Sequence, residues 1–442
     1  MISNVAPQPP RTWTILGHID ATSSDLEPYE MQRLDTLEST SKQDANVVME
    51  VRHQRSSKTR KIVQNVLLAA LAPAAALGGV VLGTAMLASG AGVLPSLLLG
   101  GALVANTVPL AIASKRAIQH LKRLKHEPQT PGTDWKGTRT YWMGQDSVPG
   151  LQSPIVAESK STKAPSGEAL GKFLAENMRQ FPAQRYAFIL GGHGRARDGV
   201  GDVSVADMAK ATEIAHASSG RKIDVMVLDS CLVGNFETLL PMSDHVRYAV
   251  VSQEPLYTNV IDWSSIVNGL DGHGPSAKRF AGLALHYAKN SYSPHTVATV
   301  RMSQMPSLRK AVDTLGEAIA AGVRNGHRDS IAAAFKEAAP IQDSSWLERK
   351  TEGKVDMGDL LERLRHVTDP SVRQAGEVAY FWYLRSVVGN VTSKKFSRST
   401  GMRIQGPRAW HRENAYAKET GLAGWSKALS AMRPWPLRMM SA

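Results

Sequence analysis

From Ile62 to Ser114 the chain carries no charged side chain, in the run IVQNVLLAALAPAAALGGVVLGTAMLASGAGVLPSLLLGGALVANTVPLAIAS. That is too long for one membrane-spanning helix and fits two of roughly 20 residues each. The natural division places them near Val66–Met86 and Leu94–Ala113, joined at SGAG. Pro73, Pro95 and Pro109 would break a soluble helix but are tolerated within a bilayer, and the Gly/Ala content suits close helix packing. The competing reading is a buried Ala/Gly-rich hairpin in a soluble protein.

Charge placement favours the membrane. Arg52, Arg55, Lys58, Arg60 and Lys61 precede the run, and Lys115, Arg116, Lys122, Arg123 and Lys125 follow it. Removing these ten from the formal net charge of +13 leaves only +3 for the rest of the 442 residues. The basicity therefore belongs to one feature, which points to a lipid bilayer and not to nucleic acid as a partner. Basic clusters on both flanks predict a hairpin with both ends on the cytosolic side. No cleavable signal peptide is expected from MISNVAPQPPRTWTILG, and a lone cysteine, Cys231, excludes an intramolecular disulfide.

A hairpin returns the chain to its point of departure, so the flanking segments are expected to form one interrupted domain. The division is residues 1–56 as its first part, 57–130 as the insertion, 131–303 as the catalytic part, and 304–442 as a helical and strand region that completes it. Apolar or β-branched runs at 12–19, 46–53, 138–144, 185–192, 222–230, 247–253 and 296–302 read as strands. Helical patterns at 166–181, behind a Ser N-cap, and at 205–218 lie between them. Alternating strands and helices predict an α/β fold with a mostly parallel sheet, whose chemistry gathers at the carboxyl ends of the strands.

Two unusual residues occupy such ends. His193 follows the run AFIL and Cys231 follows VMVLDS. The segment LVGNFETLL after Cys231 reads as a helix, whose N-terminus would favour the thiolate, and a neighbouring histidine could protonate reacting groups. The bland alternatives are a turn histidine and a small buried hydrophobe.

These residues carry a resemblance. FILGGHG, then IDVMVLDSCLVGNFET, then YAVVSQE resemble the His-Gly and Asp-x-Cys blocks of the clostripain-like cysteine peptidases, relatives of caspases and gingipains. RTWTILGHIDATSSDLE, GTRTYWM and LGKFLAENMRQFPAQRYAFIL are similar to the family's earlier segments. KVDMGDLLERL (354–364), STGMRIQGP (399–407) and Trp425 are similar to its C-terminal blocks. Coverage is most of 11–430, interrupted by the apolar run. Departures are Gly17-His18 where an aromatic is common, with His18 read as structural, and SQEP in place of a Ser-Glu-Glu type of sequence.

The resemblance implies a caspase-like sheet flanked by helices and an endopeptidase acting through a thioester on Cys231, with His193 as general acid/base. The N–H groups of Gly194 and Cys231 would form the oxyanion hole. Asp229 would select Arg or Lys in protein or peptide substrates, with Ser252, Gln253 and Glu254 lining the same pocket; a structural carboxylate is the alternative for Asp229. Some relatives are cut after the catalytic histidine, where Arg195 and Arg197 are the nearest basic residues. Some use calcium, but no acidic loop spacing here supports it, so no cofactor or metal is expected. Two other classes remain open at this stage: a secreted, membrane-inserting effector with the same activity at a host membrane, and a silent pseudo-peptidase that binds its ligands.

Overall fold

The structure is a computed structural model that describes residues 10–23, 25–54, 130–132, 134–195, 198–338, 353–407 and 413–433. The apolar run and most of its basic flanks lie outside the described residues. Among the described residues no helix is long and apolar enough to cross a membrane.

Nine strands form one sheet: β1 (Arg11–Ala21), β2 (Ala45–Gln54), β3 (Lys136–Trp142), β4 (Ile155–Ser159), β5 (Ala183–Gly191), β6 (Ile223–Asp229), β7 (Val246–Val251), β8 (Thr296–Arg301) and β9 (Val387–Thr392). Their spatial order is β9-β8-β7-β6-β5-β1-β2-β3-β4. The five central strands, β2, β1, β5, β6 and β7, run parallel, and an antiparallel pair closes each edge. All seven expected runs are strands. The two edge strands β4 and β9 were not anticipated.

Parallel strands are covered on both faces, so their residues are apolar in both phases of the alternation. Leu16, Phe188, Leu190, Met226 and Leu228 face one core, while Ile15, Ala187, Ile189, Val225 and Val227 face the other. The second face is covered by α1 (Glu27–Glu38), α4 (Trp263–Asn268) and α5 (Ala277–Lys289). The first is covered by α2 (Gly167–Gln180) and α3 (Val205–Ser219), and by the C-terminal helices α6 (Met305–Arg324), α7 (Pro370–Ser386) and α8 (Ala423–Met432). Helices α2 and α3 match the expected spans; each starts at a serine, Ser166 or Ser204, whose side chain accepts the backbone N–H of the third helical residue.

Two features of this architecture bear on the site. First, β2 pairs antiparallel with β3 from Val48 opposite Trp142 to Gln54 opposite Lys136. The chain on either side of the apolar run is therefore continuous in one sheet. Second, the C-terminal segment is built into the catalytic half. Lys354–Asp356 pairs with Arg403–Gln405 in a small antiparallel sheet, and Trp425 of α8, fully buried, donates its Nε1–H to the Gln405 carbonyl at 3.0 Å.

Helices α6 and α8 approach so closely that a Cβ added to Gly316 would lie 2.3 Å from the Gly424 carbonyl carbon and from the Trp425 nitrogen. Backbone on backbone cannot give way as a flexible side chain can. Gly316→Val is expected to destabilise the fold by about 1–3 kcal/mol through overpacking, read as a lower urea midpoint at unchanged slope.

Candidate active site

The register of one strand pair builds the site. Strands β5 and β6 are parallel neighbours, and Gly191 stands opposite Asp229 at their carboxyl ends. His193 and Cys231 each follow two residues beyond that pair, so the two loops emerge side by side. They are tied together at their roots, where Ser230 Oγ donates to the Gly192 carbonyl at 2.7 Å.

Gly194 brings the histidine loop onto the cysteine. A Cβ on Gly194 would lie 1.6 Å from the Cys231 carbonyl oxygen and 2.9 Å from its nitrogen, so only glycine permits this approach. Gly194 forms a bridge with Val200, flanked by bonds from Gly201 N–H to the His193 carbonyl and from Arg195 N–H to the Gly199 carbonyl. In such a wide pair the central residue's own N–H turns away from the partner strand. The Gly194 amide is thus directed out of its ladder, on a loop that lies against Cys231.

The turn after Cys231 departs from expectation. LVGNFETLL does not begin a helix at the nucleophile. One helical turn forms only at Phe236–Leu239, and residues 232–234 run against the end of β7, with Gly234 N–H bonded to the Ser252 carbonyl at 2.8 Å. Leu232 adopts φ 64°, the one non-glycine residue with positive φ among the described residues. Such strain persists only where surrounding bonds over-determine it. Here the Leu232 carbonyl accepts from Asn235 Nδ2 at 2.9 Å and from Arg403 Nη2 at 2.6 Å. Arg403, buried on the C-terminal segment, thereby holds the nucleophile turn.

Without a helix terminus behind it, the thiol does not gain the dipole that favours thiolate. Burial pushes its pKa up, against the opposing effect of the Leu256 backbone. The Sγ–H donates to the Leu256 carbonyl at 3.3 Å, and the Leu256 N–H donates to Sγ at 3.2 Å.

The imidazole has a partner that the sequence did not reveal. His193 Nε2 lies 3.1 Å from Asp25 Oδ1 and 3.2 Å from Ser23 Oγ, on the loop between β1 and α1. The hydrogen bond that His193 donates to Asp25 holds the imidazole pKa above its ordinary value, and that same bond holds the Asp25 carboxyl well below the usual carboxylate range. His18, by contrast, is fully buried within β1, with Nδ1 2.6 Å from Glu50 Oε2 on β2.

Asp229 is 5% exposed and already bonded: its Oδ2 accepts from Trp263 Nε1 at 2.8 Å and from Arg33 Nη2. The remaining three expected pocket residues are placed as struts. Ser252 Oγ donates to the Glu254 carbonyl at 2.9 Å and lies 2.9 Å from Thr296 Oγ1. Gln253 donates from Nε2 to Asp356 Oδ2 at 2.8 Å, joining β7 to the C-terminal segment. Glu254 is 1% exposed, its carbonyl accepting from Leu232 N–H at 3.2 Å. Of the basic pair near the histidine, Arg195 is ion-paired to Asp202 at 2.9 Å, and Arg197 lies outside the described residues. Among the described residues no group of three or more His, Cys, Asp or Glu gathers as a metal site.

A cysteine and a histidine at adjacent parallel strand ends, with a glycine backbone packed against that of the cysteine, are the arrangement of a cysteine-peptidase site on an α/β sheet. The sequence profile of the clostripain family, the C11 peptidases, matches residues 145–408, and the chain belongs to that family. No curated protein matches the chain by sequence. Solved structures share the fold at low identity. A secreted C11 cysteine protease from Bacteroides thetaiotaomicron, iotapain, is 12% identical with a TM-score of 0.59, covering 95% of this chain and 100% of its own. An inactive zymogen C11 protease from Parabacteroides distasonis is 11% identical at 0.58, covering 95% and 99%. The Bacteroides thetaiotaomicron protease in complex with an irreversible peptide inhibitor is 10% identical at 0.55, again covering 95% and 99%. The profile match begins after β3, so Asp25 and all of α1 fall outside it.

For a Cys231/His193 pair in which the thiol gives its proton to the imidazole, activity is expected to rise with pH as His193 deprotonates, at a pH that depends on Asp25. Asp25→Asn removes the interaction that raises the imidazole pKa. The acid limb of kcat/KM is expected to move to lower pH, with a lower kcat at the optimum because the imidazolium formed during turnover loses its partner. An unchanged profile would remove Asp25 from the site.

Proposed function

We propose that the chain is a membrane-anchored cysteine endopeptidase that cleaves peptide bonds through Cys231 and His193. The observation that carries this reading is the approach of Gly194 to the Cys231 backbone, which brings the two strand-end loops into one site. His193 takes the Sγ proton as Cys231 attacks the substrate carbonyl carbon. The Gly194 and Cys231 N–H groups stabilise the oxyanion. The C–N bond then breaks, His193 returns the proton to the departing amine, and water hydrolyses the thioester to release the acid and restore the thiol. Asp229, two residues before the nucleophile, is the acid of the pocket that receives the substrate side chain. Selection of Arg or Lys by charge requires that carboxylate to be open to substrate.

Cys231→Ala and His193→Ala are each expected to remove nearly all turnover of a peptide substrate, and the double variant to be no worse than either single one, because the two act as a unit. Turnover by Cys231→Ala equal to that of the parent would sink the assignment.

The anchor is the run from Ile62 to Ser114, supported by its uncharged length and by the ten basic residues at its ends. The catalytic domain and both flanks then lie on the cytosolic side. The run departs from and rejoins adjacent strands, where Gln54 stands opposite Lys136. Deleting 62–114 and closing the gap with a short flexible linker is expected to give a soluble chain that still cleaves. The full chain is expected to stay in the membrane pellet after alkaline carbonate washing; its release into the wash would count against the anchor.

A further inference from the structure

The carboxylate expected to meet a basic substrate residue is already bound to a guanidinium from its own chain. Arg33, on α1, places Nη2 on Asp229 Oδ2 and on the Ile261 carbonyl, the latter at 2.9 Å. Its Nη1 lies 3.2 Å and 3.3 Å from the two carboxylate oxygens of Glu30. Its guanidinium carbon sits 3.5 Å above the centre of the Trp263 ring, whose Nε1–H is bonded to the same Asp229 oxygen. An aromatic platform, two carboxyl groups and a backbone carbonyl are the elements that recognise a planar guanidinium. All are present here, buried, and satisfied from within.

The contact is not a surface ion pair. The Arg33 side chain is 13% exposed, Glu30 1% and Trp263 2%. The same face of the sheet carries all of it: Asp229 continues the phase of Val225 and Val227, whose side chains pack toward α1 and α4. One guanidinium bridges both carboxyl groups, and burial raises the pKa of Glu30.

We infer that Arg33 is a specificity-determining residue of this enzyme: its guanidinium fills the position on Asp229 that a substrate's Arg or Lys would occupy, so the enzyme discriminates against basic residues at the cleavage site. The inference rests on the reading of Asp229 as the acid of the recognition pocket. A substrate cation must displace Arg33 from Asp229, Glu30 and Trp263, whereas an uncharged side chain of similar length need not.

The test uses peptide electrophiles that alkylate Cys231 irreversibly and differ only in the residue before the reactive carbonyl, Arg or norleucine. The full-length protein is compared with Arg33→Ala, Arg33→Ala/Asp229→Ala and Cys231→Ala, with folding checked by thermal melting. The unaltered protein is expected to react faster with norleucine. Arg33→Ala is expected to raise the Arg-to-norleucine ratio of second-order rate constants at least tenfold, and guanidinium ion is expected to slow its reaction with the Arg electrophile competitively. A smaller rise in folded Arg33→Ala overturns the inference. So does a preference for Arg in the unaltered protein, a result that decides the matter even if Arg33→Ala does not fold. Failure of the underlying reading looks different: the gain in Arg33→Ala would survive the added Asp229→Ala, or Cys231→Ala would still be labelled.

Discussion

The parallel pairing of β5 with β6 is the constraint on which the site depends. It places Gly191 against Asp229, and from that register the histidine and the cysteine leave the sheet at the same height, two residues on. A slip of one residue would turn every side chain of β6 to the other face. Both cores guard against it, because Val225 and Val227 fill one and Met226 and Leu228 fill the other. The catalytic alignment is thus secured by ordinary packing along two buried strands, and the loops need only short bonds such as Ser230 to Gly192 to complete it.

Strain is concentrated immediately after Cys231 and is balanced from far away in sequence. The positive φ of Leu232 lets the chain turn back against β7 while Cys231 keeps its place over Gly194. Arg403 and Asn235 hold the Leu232 carbonyl, the Arg403–Gln405 strand rests on Trp425, and Gln253 ties β7 to Asp356. The chain after β8 therefore supports the turn that follows Cys231, because without it the Leu232 carbonyl loses the Arg403 partner.

The legible parts of the chain were those governed by local pattern. Seven apolar, β-branched runs announced the strands, and Ser166 and Ser204 announced two helices. The edge strand Ile155–Ser159 was missed because half of it faces solvent and it has no apolar run to display, and Val387–Thr392 because it follows α7 without a break. The helix expected at Cys231 failed for a tertiary reason: the 232–234 segment satisfies its backbone against β7 and cannot also coil. Asp25 and Arg403 lie within segments that resemble the family, but nothing marked them as partners of the site, and Arg33 lay outside every such segment. Each reaches the site only because β1 lies beside β5 or because the C-terminal segment folds back, and sheet order is not written in spacing or periodicity. Helix α1 offered little help, since its buried apolar residues Met31, Leu34 and Leu37 are interleaved with the buried acids Glu27, Glu30 and Glu38.

The pairing of β2 has a consequence for where substrates come from. Val51 stands level with Ile19, and Ile19 with Gly191, so Gln54 ends β2 at the same rim of the sheet as His193 and Cys231, with only β1 between β2 and β5. At roughly 4.8 Å per strand, the exit of the 55–135 connection lies on the order of 10 to 15 Å sideways from the catalytic loops. On the proposed anchor, the enzyme would be aimed as well as tethered, its thiol held within the width of three strands of the point where the chain leaves the sheet.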